Sequence, residues 1–258
     1  MDRMIRDVRE RRGAGTAQHA RVILAGVFGL AVRHDAIEAN PVRELTPSRR
    51  KKNGHAIELT EESLAGLREH LQQSGGAVKY DLVDLVDALS GLGCRIGELL
   101  ALDWTKIDEA TGTLSIEGTV IRVPAEGLIV QDHAKSKAGM RTIVPPRWVI
   151  DLFRQRHAVA VAPWVFPTTK ATLRDPDNTR ARLRDVVRDT PWEGLHPHAF
   201  RHLVATRLDR AGLSAREIAD YLGHARISMT QDVYMARGTA GVAASAVLDQ
   251  LGPHETTG

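Results

Sequence analysis

The feature that most limits the folds open to this chain is a change of hydrophobic period in its middle. TGTLSIEGTVIRVP (111–124), GLIVQDHA (127–134) and RTIVPP (141–146) carry the alternation and β-branched content of half-buried strands. On both sides the period is helical. DLVDLVDALSGLG (81–93) is an apolar helix running out near Gly91 or Gly93, and helices resume over 147–160, 176–188 and 197–210. Pro197 stands where a helix begins without losing a needed N–H, and Ser214 with Glu217 forms a capping box for a helix ending at Gly223. Thr60 caps an earlier helix by itself, because Ser63 occupies the place where a capping box wants Glu. Lys135-Ser136-Lys137-Ala138-Gly139 is placed as a hairpin turn between strands. The predicted class is mostly α with a small antiparallel β-sheet, α+β.

The front of the chain reads differently. GTAQHARVILAGVFGLAVRHDAIEANP has a helical period, with Val22, Leu24 or Ala25, Phe28 and Val32 on one side, Thr16 as its cap and Asn40-Pro41 as its stop. One such helix buries too little to stand alone, so it belongs to a small helical unit. TPSRRKKNGH (46–55) follows as a linker, which divides the chain into 1–53 and 54–258. Residues 1–55 hold 12 Lys/Arg against 6 Asp/Glu, whereas 56–92 hold 2 against 7. Arg49, Arg50, Lys51 and Lys52 are therefore candidates for lying along a DNA backbone. Ser228 is placed to cap a last, turn-rich helix carrying Tyr234, and Val242, Ala246 and Val247 share a face of the tail.

Composition removes several function classes. A single cysteine, Cys94, excludes an intrachain disulfide framework and cysteine-rich zinc modules, and reads most simply as a small buried hydrophobe in a reducing, intracellular setting. The eleven histidines come with no HExxH pattern, and there is no Walker or dinucleotide glycine motif. MDRMIRDVRERR lacks the apolar core of a signal peptide, and no apolar run is expected to approach the length of a membrane span.

The residues with chemical potential are scattered. His198 and Arg201 lie one turn apart at the start of a helix, and Arg95 stands where an apolar helix breaks, with Glu98 three residues on. His224 follows Gly223, and Tyr234 lies ten positions later. Guanidiniums, imidazoles and a turn lysine could cradle a pentavalent phosphoryl transition state, with a tyrosine oxygen as nucleophile. Taken singly, each has a plainer reading: a helix-end arginine, a local histidine cap, a turn lysine, a core tyrosine.

Order and spacing change that balance. Gly93-Cys94-Arg95-Ile96-Gly97-Glu98-Leu99, then His198-Ala199-Phe200-Arg201-His202, Leu222-Gly223-His224 and Tyr234 follow one another in an arrangement that resembles the tyrosine recombinase, or phage integrase, family. The resemblance covers about residues 57–245, and AKSKAGMRTIVP is similar to the family's lysine turn. It implies a tyrosine-recombinase-like catalytic domain over 54–258, preceded by only the last part of a helical core-binding region. It implies that Arg95 and Arg201 grip the scissile phosphate, that Tyr234 attacks it to leave a 3'-phosphotyrosine, and that Lys135, with Lys137 as its rival, protonates the leaving oxygen. His198 would assist proton transfer and His224 would support the transition state. Glu98 reads as a residue orienting Arg95 and His202 as a supporting contact, whereas Tyr221 reads as packing.

No metal, ATP or other cofactor is implied. The implied partners are double-stranded DNA attachment sites, further protomers forming a tetramer on DNA through the C-terminal segment, and an accessory directionality factor, in the cytoplasm at the nucleoid and away from membranes. The front segment is similar to integrases of mobile elements. Two other readings use the same residues. SAREIADYLGHARISMTQDVY fits a helix-turn-helix binder without chemistry, but leaves the arginines and turn lysine unassigned; an enzyme that relaxes one duplex would nick and reseal without exchange.

Overall fold

A computed structural model of the chain describes residues 2–43, 57–132, 140–223 and 242–252. It divides into two compact units, Met1–His55 and Ala56–Gly258. In the first, α1 (Asp2–Arg12) and α2 (Ala14–Arg33) are separated by Gly13, whose φ of 89° lies where L-residues with a Cβ are strained. Here the sequence expectation needs correcting. Gly13, not Thr16, precedes the helix, and the Thr16 hydroxyl donates back to the Arg12 carbonyl at 3.1 Å. The helix ends at Arg33; Asn40 instead ties the returning chain down by donating to the Ala25 carbonyl at 2.9 Å and accepting from the Val42 amide at 3.0 Å.

Leu24, Ala25, Phe28 and Val32 are half-buried, but Val22, with Ile23, Val27 and Leu30, is at least half exposed. By length and composition alone α2 also qualifies as a membrane span, although Gln18, His19 and Arg21 interrupt it. The expectation that no apolar run reaches that length is thus corrected.

The second unit is built around α5 (Val83–Leu92), an apolar helix whose residues from Leu85 onward are all buried. Against it pack α3 (Glu61–Gln73), whose Thr60 cap accepts from the Ser63 amide at 3.2 Å, and α9 (Pro197–Arg210). Leu64, Leu67 and Leu71 of α3 and Phe200, Val204 and Leu208 of α9 join α5 in one core. The short α4 (Gly75–Lys79), α6 (Ile96–Leu100), α7 (Arg147–Ala158), α8 (Pro176–Val186) and α10 (Ala215–Leu222) complete it. The Ser214–Glu217 capping box starts α10, Ser214 Oγ accepting from the Glu217 amide at 3.2 Å and Glu217 from the Ser214 amide at 2.8 Å.

The strands form two ladders where a single short sheet was expected. β1 (Ile107–Asp108), β2 (Thr113–Ile116) and β5 (Arg141–Ile143) are one antiparallel sheet in the order β1-β2-β5, and β3 (Gly118–Val123) pairs β4 (Gly127–Asp132) as a separate hairpin. Residues 133–139, including the expected Lys135–Gly139 turn, lie outside the described residues. The strands flanking them pair elsewhere: Arg141 faces Ile116 of β2, while Asp132 faces Gly118 of β3.

The tail packs onto its own chain. Ala244, Ser245 and Leu248 of α11 (Val242–Leu248) are buried, Ser245 Oγ donates to the Pro145 carbonyl at 2.8 Å, and Trp148 Nε1 donates to the Leu248 carbonyl at 3.1 Å. Of the face expected from the sequence, Ala246 is exposed and Val247 packs partly against the core.

Candidate active site

The site is assembled where α5 stops. Gly93 ends that helix in the left-handed region at φ 58°, and a Cβ there would come within 2.6 Å of Leu222 and 3.0 Å of Val204. Glycine is thus required twice, for its torsion and for the approach of α9 and α10. Cys94 is buried, its thiol pushed up to about 12 by burial and then by the Glu98 charge, so it is inert packing. The chain then extends through Arg95, the residue preceding α6, and turns back into helix.

Arg95 holds a carboxylate and still faces outward. Its Nη1 meets Glu98 Oε1 at 2.6 Å and its backbone amide donates to Oε2 at 3.0 Å, yet 47% of the side chain is accessible. Glu98 itself is fully covered and also accepts from Nη2 of Arg141 at 2.9 Å. Burial pushes its carboxyl upward, but the Arg141 charge and the hydrogen bonds from Arg141 and Arg95 together outweigh that and hold it below the usual range.

Arg201 approaches from α9, 2% exposed, and its Nη1 donates to the Gly93 carbonyl at 3.0 Å. Burial, and after it the like charge of Arg95, pull its guanidinium down to about 10. Among the described residues, three guanidiniums therefore act on the Glu98 carboxylate: Arg95 and Arg141 in direct ion pairs and Arg201 through its charge. Such an excess favours an incoming anion.

His198 lies one turn before Arg201, solvent-exposed, with the His202 ring edge-on at 4.7 Å between centroids and His196 at 6.5 Å. Partial desolvation of the ring by its neighbours comes first in lowering its pKa, followed by the charges of His202, Arg201, His196 and Arg95. The neutral imidazole is thereby favoured, with a lone pair free to accept a proton. Tyr221 is wholly buried, its hydroxyl donating to the Gly91 carbonyl at 3.1 Å and its ionisation pushed up by burial, so it is a packing residue as expected.

Of the residues singled out in the sequence, Arg95, Glu98, His198, Arg201 and His202 gather around this helix break. Lys135, Lys137, His224, Tyr234, Arg49, Arg50, Lys51, Lys52 and the Ser228 cap lie outside the described residues. Motif order passed over Arg141. It begins β5, is 4% exposed at the side chain, and donates through Nε to the Tyr221 carbonyl at 2.9 Å. A signal was present: in Arg141-Thr142-Ile143 the period of two puts the arginine on the same inward face as Ile143. Among the described residues no group of three or more His, Cys, Asp or Glu is placed to hold a metal ion.

A model of the phage integrase family matches residues 57–239, and the chain belongs to that family of tyrosine recombinases. Relatives include the tyrosine recombinase XerC of Pediococcus pentosaceus, 25% identical over 211 residues that cover 81% of this chain and 67% of that protein. XerD of Mycobacterium leprae is 24% identical over 222 residues, 84% of this chain and 68% of its own. A XerC-like protein of Caldanaerobacter subterraneus is matched over only 42% of its length, so the chain spans roughly two fifths to two thirds of such relatives. Among solved structures, the Tn1549 transposon integrase in complex with transposon right end DNA superposes with a TM-score of 0.75 at 19% identity, covering 99% of this chain and 80% of that one. A lambda integrase tetramer bound to a Holliday junction gives 0.60 at 15% identity, covering 90% and 65%. At those identities the likeness is one of fold.

Proposed function

We propose that this chain is a site-specific DNA recombinase that cuts and rejoins duplex DNA through a tyrosine. The observation that carries the reading is the excess of guanidinium charge at the α5–α6 break, in a member of the phage integrase family. Arg95 and Arg201 bind the non-bridging oxygens of the scissile phosphate, whose charge grows as phosphorus becomes five-coordinate. The Tyr234 oxygen forms the new bond to phosphorus and passes its proton to a base, with His198 in that role. The bond to the 5' oxygen breaks, and that oxygen takes a proton from Lys135, or from Lys137 in its place. His224 hydrogen-bonds the phosphate. Attack by a 5'-hydroxyl on the 3'-phosphotyrosine reverses each transfer, so the bond energy is kept and neither ATP nor a metal is required.

In this reading the Arg49–Lys52 run tracks the DNA backbone, and residues 1–53 are the end of a core-binding region. Strand exchange joins two attachment sites within a tetramer, with an accessory factor setting direction, at the nucleoid in the cytoplasm. The two DNA-bound integrases similar in fold support the substrate class.

The test is covalent trapping on a candidate attachment-site duplex whose scissile 5' bridging oxygen is replaced by sulfur, followed by mass spectrometry. A nucleotide-linked peptide containing Tyr234 is expected, and Tyr234→Phe should bind the duplex with unchanged affinity while yielding no adduct. An adduct on Tyr221 or Tyr80, or none from the unaltered chain on its own site, would remove the proposal. Relaxation of supercoils without strand exchange would assign the same chemistry to a relaxing enzyme instead.

A further inference from the structure

We infer that Arg141 is a positioning residue that fixes Arg95, through their shared carboxylate Glu98, against the end of α10. The inference rests on the recombinase reading above and adds to it a residue that binds no DNA. Its basis is geometric. Arg141 donates from Nη2 to Glu98 Oε2 at 2.9 Å, and the other oxygen of that carboxylate takes Arg95 Nη1 at 2.6 Å. Glu98 can therefore move only if both guanidiniums move with it. From Nε, Arg141 reaches the Tyr221 carbonyl at 2.9 Å, one of the last carbonyls of α10, which has no partner within the helix.

Gly223 also approaches the same guanidinium closely. A Cβ at Gly223 would come within 2.5 Å of Nη1 and 2.9 Å of Cζ, and its φ is 72°. One planar group thus joins three segments far apart in sequence: the start of β5, the α5–α6 break and the end of α10. Lysine could not do this, having a single point of charge where two acceptors lie in fixed directions. The guanidinium has 4% of its side chain exposed, and its Nε and Nη2 are committed to the Tyr221 carbonyl and to Glu98, so its assigned part is positioning, not contact with the duplex. Its part in the reaction is to hold the Arg95 fork in register. Misplacing a group that contacts the reacting phosphate by about 1 Å lowers a rate by about 100-fold.

The experiment uses the full chain on its attachment-site duplex and measures the single-turnover rate constant of adduct formation at saturating DNA. It separately measures the amplitude, the duplex affinity and the melting temperature. Arg141→Met should lower the rate constant about 100-fold while amplitude and affinity stay those of the unaltered chain. Arg141→Lys, which keeps the charge, should fold normally and recover only part of the rate, about 10-fold below the parent. Because both residues act on Arg95 through one carboxylate, Arg141→Met and Glu98→Gln should be non-additive, the double variant being no slower than the slower single one. A folding role alone would lower the amplitude and leave the rate constant untouched. That result, a folded Arg141→Lys at the parental rate, or additive losses in the double variant would each overturn the inference. If the unaltered chain forms no adduct, it is the recombinase reading that falls.

Discussion

Two arginines meet at this site from regions that treat a buried charge in opposite ways. At the α5–α6 break, Arg95 brings its own counter-charge three residues downstream, and Glu98 is held ionised by two guanidiniums. In α9, Arg201 is nearly sealed, donates to a neutral carbonyl, and is pulled down to about 10 by burial and then by Arg95. The first region is satisfied before any substrate arrives. In the second, burial and the like charge of Arg95 weigh against the charged form, Glu98 opposes them, and in the proposed reaction an arriving phosphate would add a further counter-charge. Under the proposed function, stability and phosphate binding would therefore be divided unequally between two side chains of one type.

The largest test of that division is a matched pair, Arg201→Met and Arg95→Met. Each should cut adduct formation by about 10²–10³-fold, as loss of a donor to transition-state charge does. Their melting temperatures should move apart. Methionine in place of Arg201 removes a buried charge that Arg95 and Arg141 repel and Glu98 attracts, so these opposed effects should leave only a small change in stability. Methionine in place of Arg95 takes one partner from the covered Glu98 and should cost about 1 kcal/mol, a modest figure because the arginine is half solvated. Thermal unfolding of both variants decides it, and a larger loss for Arg201→Met than for Arg95→Met would break the comparison.

A smaller effect follows from pH. Glu98 has a folded-state pKa below its ordinary value of 4.5, so the stability it contributes is fully present above that value and is lost as pH falls through the lowered one. Glu98→Gln should flatten the acid limb of the stability profile below about pH 4.5 and leave its shape at neutral pH unchanged. Urea unfolding at pH 3, 4 and 7 measures this. If the acid limb of the glutamine variant matches that of the parent, the carboxylate is not what the two arginines hold in place.

How much of this could be read from the chain depends on distance along it. Thr60, the Ser214–Glu217 box and the span of α9 from Pro197 to Arg210 were legible because caps and helical period are chemistry among near neighbours. The stop of α2 was misplaced because Asn40 resembles a helix terminator, whereas it fastens a returning loop to Ala25. The separate ladders could not be read, since β2 finds its partner β5 across the whole β3–β4 hairpin. In the site, motif order delivered Arg95, His198 and Arg201. Arg141 was lost because alternation marks it as inward-facing but does not say that it crosses to a carboxylate 43 residues away.

A last test lies at the seam between the two regions, where Gly93 offers its carbonyl to Arg201 and its torsion to the turn into Arg95. Gly93→Ala places a methyl within 2.6 Å of Leu222 Cδ2 and 3.0 Å of Val204 in a backbone conformation at φ 58° that alanine resists. The left-handed torsion costs about 1–2 kcal/mol and the contact somewhat more unless Leu222 changes rotamer. Pairing the change with Leu222→Ala separates the two causes. The double variant should recover the part due to contact and keep the part due to torsion, so that its melting temperature lies above the sum of the single losses. If the pair is simply additive, the methyl never meets Leu222, and the glycine is required for its torsion alone.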